Sequence, residues 1–253
     1  MYITNDPNRS DGFGAQFQNI VWLIVFAGLN GYTFAYSDIK SIEHNYNNDP
    51  EYINSLIKFT TIKEQFSAIT TIDTSINVDM HFLYRTIAND FDLYFTSESF
   101  IQFKNHFRKD KRTPFLKDTL NIVIHYRKNN IHDNNSGRHY MNNTDIMRII
   151  EYFNNIYQTT HAVYYHICSQ GDSNEYLDIT EKFKDTRIIY HLNENLTDTF
   201  MYMIFADILV TANSSLSYVA ALLSTAIVYY KIIPADNHPP LKSWKILDTL
   251  ILN

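Results

Sequence analysis

Apolar and polar positions alternate along this chain in two registers. Early on, Ile20 to Leu29 is continuously apolar behind Gly12-Phe13-Gly14, and the preceding turn Asn5 to Asp11 is polar. The pattern predicts a strand over 1–4, a helix from about Ala15 to Asn30 buried on most faces, a cap at Gly31 and a strand over 33–36. Strand, glycine turn, helix and strand in that order form a βαβ unit, which implies parallel pairing. Residues 40–115 are less periodic, with helices predicted near 49–59 and 97–107. Past residue 116 the pattern sharpens. Leu120 to Tyr126 reads as a buried strand. Ile146, Ile149, Ile150 and Phe153 recur at helical spacing over 145–157, with Thr144 placed as N-cap. Strands then follow at 162–168, 187–191, 208–211 and 226–230. Helices over 174–183, 197–205 and 216–223 separate them. Five strands alternating with helices predict a doubly wound α/β domain. The fold class expected is therefore α/β, with two Rossmann-like domains, 1–115 and 116–253, and a cleft between them.

Composition narrows the function without naming it. A net charge of −6 argues against a protein that coats nucleic acid, since that needs a basic face. One cysteine, Cys168, excludes a disulfide framework and a multi-cysteine metal site. The longest apolar run is half of the ~20 residues that a membrane span needs. The start of the chain has neither a basic nor an apolar leader segment, so a cytoplasmic location is expected. The basic run Lys104, His106, Arg108, Lys109, Lys111, Arg112 and Lys117 reads first as a solvated helix end and linker, and second as a phosphate-steering patch.

Ligands of parallel sheets sit outside the carboxyl ends of the strands, and four stretches fall at such ends. The first is Asp11-Gly12-Phe13-Gly14-Ala15-Gln16. Its glycines admit a close backbone approach to an anion, yet Phe17 stands where a third fingerprint glycine belongs and no Gly-Lys-Ser/Thr follows. The second is His125-Tyr126-Arg127-Lys128. His125 and Arg127 share one face of the strand, and the Arg fork with Lys128 beside it suits a diphosphate; the other reading is an Arg paired with a surface carboxylate and a His satisfied in the core. The third, Ser169 to Asp172, offers Asp172 to a base or ribose. The fourth, Asn213-Ser214-Ser215, places hydroxyls and backbone N–H groups at a helix start, as an N-cap, an anion site or both.

Taken together these stretches resemble the α1,6-, α1,2- and protein O-fucosyltransferases. The loop Asp11 to Phe17, with the apolar helix and Gly31-Tyr32 behind it, looks like the family's Gly-x-Gly-x-Gln-like opening. Val123-Ile-His-Tyr-Arg-Lys128 resembles the strand ending in His-x-Arg-Arg, whose arginine holds the donor diphosphate. Ala206 to Tyr218 resembles a late strand–Ser-Ser–helix motif that also touches the diphosphate. Lys128 replaces the family's second arginine, and Asn129 or Asn130 replaces its aspartate. The chain also looks like small glycosyltransferases of large DNA viruses, which would put it in host cytoplasm.

The resemblance implies a GT-B fold and an inverting transfer of fucose, or another sugar such as xylose or rhamnose. The donor would be a GDP- or UDP-linked sugar, and the acceptor a hydroxyl of a glycan or glycoprotein. It implies no metal and no further cofactor. Donor contacts would come from Gly12, Phe13, Gly14, Gln16, His125, Arg127, Lys128, Asp172, Asn213, Ser214 and Ser215. Asp11 is the first candidate for the general base, with His132 and Asp133 next. Three alternatives remain: a metal-dependent GT-A enzyme using Asp90-Phe91-Asp92, a nucleotide-sugar- or glycan-binding module without turnover, and a structural Rossmann-like protein.

Overall fold

The computed structural model describes residues 1–43, 45, 49–66, 75–76, 78–128, 141–157, 162–232 and 238–252. The chain divides into two compact units, Met1–Arg112 with Ala235–Leu241, and Thr113–Pro234 with Lys242–Asn253. The break falls three residues before the expected one, and a late segment groups with the first unit.

The first unit holds a three-stranded parallel sheet in the order β2-β1-β3, with β1 at Tyr2–Thr4, β2 at Thr33–Ala35 and β3 at Ser75–Ile76. Helix α1 (Phe13–Leu29) joins β1 to β2 and is buried on nearly every side, as its unbroken apolar sequence requires. It ends in a Schellman turn: Tyr32 N–H donates to Ala27 O at 2.9 Å, and Gly31 adopts φ +71°, which a side chain would resist. Helices α2 (Pro50–Thr60) and α3 (Ile62–Gln65) follow β2. Asp49 caps α2 and Pro50 opens it. Among the described residues, the stretch that lacked periodicity contains three helices the pattern did not predict, the short α3 with α4 (Met80–Asn89) and α5 (Phe91–Phe95), ahead of α6 (Glu98–Arg108). Aromatic side chains lock these helices together: on α1, Trp22 meets Tyr84 of α4 edge-on at 5.1 Å and lies 5.7 Å from Phe91 of α5.

The second unit is a six-stranded parallel sheet. Its strands are β4 (Leu120–His125), β5 (Val163–Ser169), β6 (Ile188–Leu192), β7 (Ile208–Val210), β8 (Ile227–Tyr230) and β9 (Lys245–Ile246). The last of these, only two residues long, makes six strands where five were expected. The spatial order β6-β5-β4-β7-β8-β9 is the 3-2-1-4-5-6 order of doubly wound sheets. Helix α7 (Asn143–Tyr157) and α8 (Leu177–Lys182), which follows a 3-10 turn at Ser173–Tyr176, cover one face. Helices α9 (Leu196–Phe205) and α10 (Ser215–Leu223) serve the other. The cap of α7 is Asn142, not Thr144: its Oδ1 accepts from Asp145 N–H while Asp145 returns the bond to Asn142 N–H.

Alternation along β4 sorts its side chains. Ile122, Ile124 and Tyr126 pack in the α7/α8 core, so Asn121, Val123 and His125 point to the other face. On that face His166 spans 3.2 Å to Asn121 Oδ1 and 3.0 Å to His191, which reaches Glu194 at 2.9 Å. Asn121 Nδ2 donates to Thr119 and Asp207, so its Oδ1 must accept, and His166 Nε2 carries the proton. Burial, then the neighbouring His191, pushes His166 down to about 4.

Candidate active site

In the 3-2-1-4-5-6 order the chain reverses direction across the sheet between β4 and β7, and ligands of such sheets bind outside the carboxyl ends of the strands at that point. Both the His125–Lys128 and the Asn213–Ser215 stretches lie there. Ile124 pairs with Val210, so the residues that follow run side by side. Arg127 Nη1 donates to Ser214 Oγ at 3.5 Å. Ser214 is the N-cap of α10, its Oγ accepting from Leu216 N–H at 3.3 Å. Ser217 ties the turn down by accepting from Ala212 N–H at 3.1 Å and donating to Ser214 O at 3.2 Å. A guanidinium thus stands against a helix start that carries partial positive charge.

Two buried polar side chains at this sheet end carry atoms without partners among the described residues. His125 Nδ1 makes no hydrogen bond, and neither atom of the Asn213 amide makes one. Both residues are more than nine-tenths buried. Buried polar groups are paired in the great majority of cases, and leaving one unpaired costs about 1–3 kcal/mol. Three such atoms beside an arginine and a helix N-terminus mark a place where a ligand would supply the bonds. Desolvation, then the charge of Arg127, pushes His125 down to about 3, so its imidazole is neutral at pH 7.

Lys128 behaves differently from the sequence reading. One position beyond Arg127, it follows the parity of Tyr126 and turns to the α7/α8 face. There its ammonium bonds Glu175 at 2.7 Å and sits 4.1 Å from the Tyr176 ring centroid. The ion pair raises Lys128 above its usual range against the desolvation that opposes it, and lowers Glu175. Asp172 follows β5 and caps the 3-10 turn, accepting from Asn174 N–H at 2.9 Å in a capping box with Glu175. Its carboxylate is exposed, at the end of the strand where an acidic residue meets a ribose in dinucleotide folds.

The remaining candidates belong to the first unit. Gly12 is the N-cap of α1 with φ −61°, so the position does not depend on glycine for a left-handed backbone. Gly14 is buried in the first turn, and the Phe13 ring packs 5.4 Å from Phe17 in the core. Gln16 donates to Asp11 O at 2.7 Å and to Ser41 O at 2.8 Å, stapling the loop to the chain after β2. Asp11 forms an ion pair with Arg9. Asp90 occupies the N-cap position of α5 without a side-chain cap bond, and Asp92 sits in its first turn; positions two apart on a helix do not face each other, unlike the strand-end pair that a diphosphate-bound metal needs. His132 and Asp133, with Asn129 and Asn130, lie outside the described residues.

Sequence reasoning passed over Asp6, Arg9 and Asn19. The pattern marks the first two only as turn residues and the third as helix core; the signal available was that Asp6 lies two residues past Thr4, the carboxyl end of the first strand.

No helix among the described residues is long and apolar enough to cross a membrane. No protein-family model and no curated protein sequence matches the chain. Among solved structures, the chain is similar to the fucosyltransferase NodZ from Bradyrhizobium, with 10% identity and a TM-score of 0.45 over 90% of this chain and 94% of that one. It is similar to a mutant of Arabidopsis thaliana FUT1 in complex with GDP, with 12% identity and a TM-score of 0.43 over 94% and 72%. It is likewise similar to the E. coli heptosyltransferase WaaC, with 10% identity and a TM-score of 0.43 over 96% and 91%.

Proposed function

We propose that this chain is a glycosyltransferase of the GT-B kind, moving a sugar from a nucleoside diphosphate to a hydroxyl of a glycan or glycoprotein with inversion at the anomeric carbon. The observation that carries the reading is the cluster at the β4/β7 switch point: Arg127 on the Ser214-capped start of α10, with His125 Nδ1 and the Asn213 amide without partners among the described residues beside it.

Each group has a task in that reaction. As the glycosidic C–O bond breaks, negative charge grows on the leaving diphosphate. Arg127 and the N–H groups of α10 offset that charge, and preorganised donors in a dry site lower the barrier most. Neutral His125 and the Asn213 amide supply hydrogen bonds to phosphate or sugar oxygens without adding charge. Asp172 takes a ribose hydroxyl. Because these charge-stabilising groups come from the chain itself, the reading requires no metal. Asp11, oriented by Arg9, is assigned the acceptor proton first, and His132 or Asp133 next. The sugar is fucose or another such as xylose or rhamnose, with GDP or UDP as the carrier.

The test is a panel of GDP- and UDP-sugars read by thermal shift, followed by transfer assays with and without EDTA. One donor should raise the melting temperature, since only the native state binds it, and turnover should survive chelation. Binding without turnover on any acceptor would leave a nucleotide-sugar-binding module. Turnover lost in EDTA and restored by Mn²⁺ would overturn the metal-free mechanism.

A further inference from the structure

A second strand-end cavity lies wholly within the first unit. Its volume is about 440 Å³, inside the range of small-ligand pockets. It opens beside Thr4 and Asp6 at the carboxyl end of β1 and beside Val78 and Asp79 just past β3. The order β2-β1-β3 makes this the switch point of the first sheet.

The lining has an unusual donor and acceptor set. Asn19 is 3% exposed; the Tyr84 hydroxyl donates to its Oδ1, and Nδ2 is left with no partner among the described residues. Gln16 spends both Nε2 hydrogens on carbonyls, so the group it has to offer is Oε1. Asp6 uses Oδ1 to hold Asn8 N–H and Asp79 uses Oδ1 to cap α4, which leaves an oxygen on each. The charge of Arg9 is met by Asp11. Ile20 and Leu23, one and two turns along the same stripe of α1 as Gln16, complete an aliphatic wall with Met80.

One buried amide donor, several oxygen acceptors and an aliphatic wall match the ring of a neutral saccharide. Its hydroxyls both give and take hydrogen bonds, and its C–H face packs on hydrocarbon. Two carboxylates against one already paired arginine exclude an anionic ring. We infer that this cavity binds an uncharged sugar unit of the acceptor, and that Asn19, Gln16, Asp6 and Asp79 select it over uronate or phosphorylated sugars. The inference rests on the reading of the chain as a glycosyltransferase.

Saturation-transfer NMR on the full chain tests it, with the methyl glycosides of glucose, galactose, mannose and xylose as probes and methyl glucuronoside as the charged control. GDP and UDP are titrated separately. At least one neutral glycoside should bind while the uronate does not. Asp6→Asn, an exposed change that leaves packing alone, should weaken that glycoside about 10-fold, the loss of one charge-assisted hydrogen bond. Asn19→Leu should abolish glycoside binding, with nucleotide affinity unchanged in both variants. No binding by any neutral glycoside, equal binding of the uronate, or unchanged affinity in both variants overturns the inference. A wild-type chain that binds a glycoside here but no nucleotide would keep this site and remove the transferase reading.

Discussion

The neutral, buried His125 makes a prediction about acid stability that can be worked through to a number. Its folded pKa is depressed to about 3, against about 6.5 in an unfolded chain. As pH falls below 6.5 the unfolded state takes up a proton that folded His125 refuses, so stability is lost with falling pH until about 3. The slope is about 1.4 kcal/mol per pH unit, which gives a loss of about 2 kcal/mol between pH 6.5 and 5. His125→Asn keeps a polar atom near Nδ1 and removes the titration. The assay uses the two tryptophans, Trp22 in the first unit and Trp244 in the second. A Trp22→Phe background leaves Trp244, packed on Tyr218 and Tyr230, as the reporter of the unit that holds His125. Urea titrations from pH 7.5 to 5 would give the unfolding free energy in both backgrounds. The asparagine variant should lose about 2 kcal/mol less across that window, while His166, depressed to about 4, contributes the same acid loss to both. Parallel pH slopes in the two proteins would refute the argument. A bound diphosphate beside His125 should flatten the slope further, because an anion favours the imidazolium.

Three other perturbations follow from the structure. Arg127→Ala removes the cation at the α10 start and should cost about 2–4 kcal/mol of transition-state stabilisation; transfer kinetics near the wild-type rate in a folded variant would remove the central claim. Asp11→Asn keeps the shape of the loop and should lower kcat by about 10²–10⁴-fold with donor affinity unchanged; a normal kcat would move the base role to His132 or Asp133. Gly31→Ala places a methyl group in open space at φ +71°, so its cost is backbone strain alone, about 1–2 kcal/mol by denaturant titration of the first unit.

The elements of the second unit were legible because burial on both faces of a parallel sheet forces continuous apolar runs, and polar caps punctuate them. Val163–Ser169, Leu196–Phe205 and Ser215–Leu223 each lie within two residues of the sequence reading. The chain itself determined which residues stand at strand ends, and so brought Arg127 and Ser214 forward as candidates. It did not show α3, only four residues long, nor α4 and α5, where the helical period breaks at Asn89-Asp90, nor β3 and β9, which are too short to alternate. Only the tertiary structure decided the order β6-β5-β4-β7-β8-β9, since crossovers and not local pattern set which strands are neighbours. That order puts Arg127 on Ser214 across 87 positions of sequence, and strand parity sends Lys128 to Glu175 on the opposite face. Whether a polar side chain is satisfied is likewise a property of the packed state: the sequence offers His125 and Asn213 as candidates and Asn19 as an ordinary helix-core residue, and only burial leaves His125 Nδ1, the Asn213 amide and Asn19 Nδ2 without partners among the described residues.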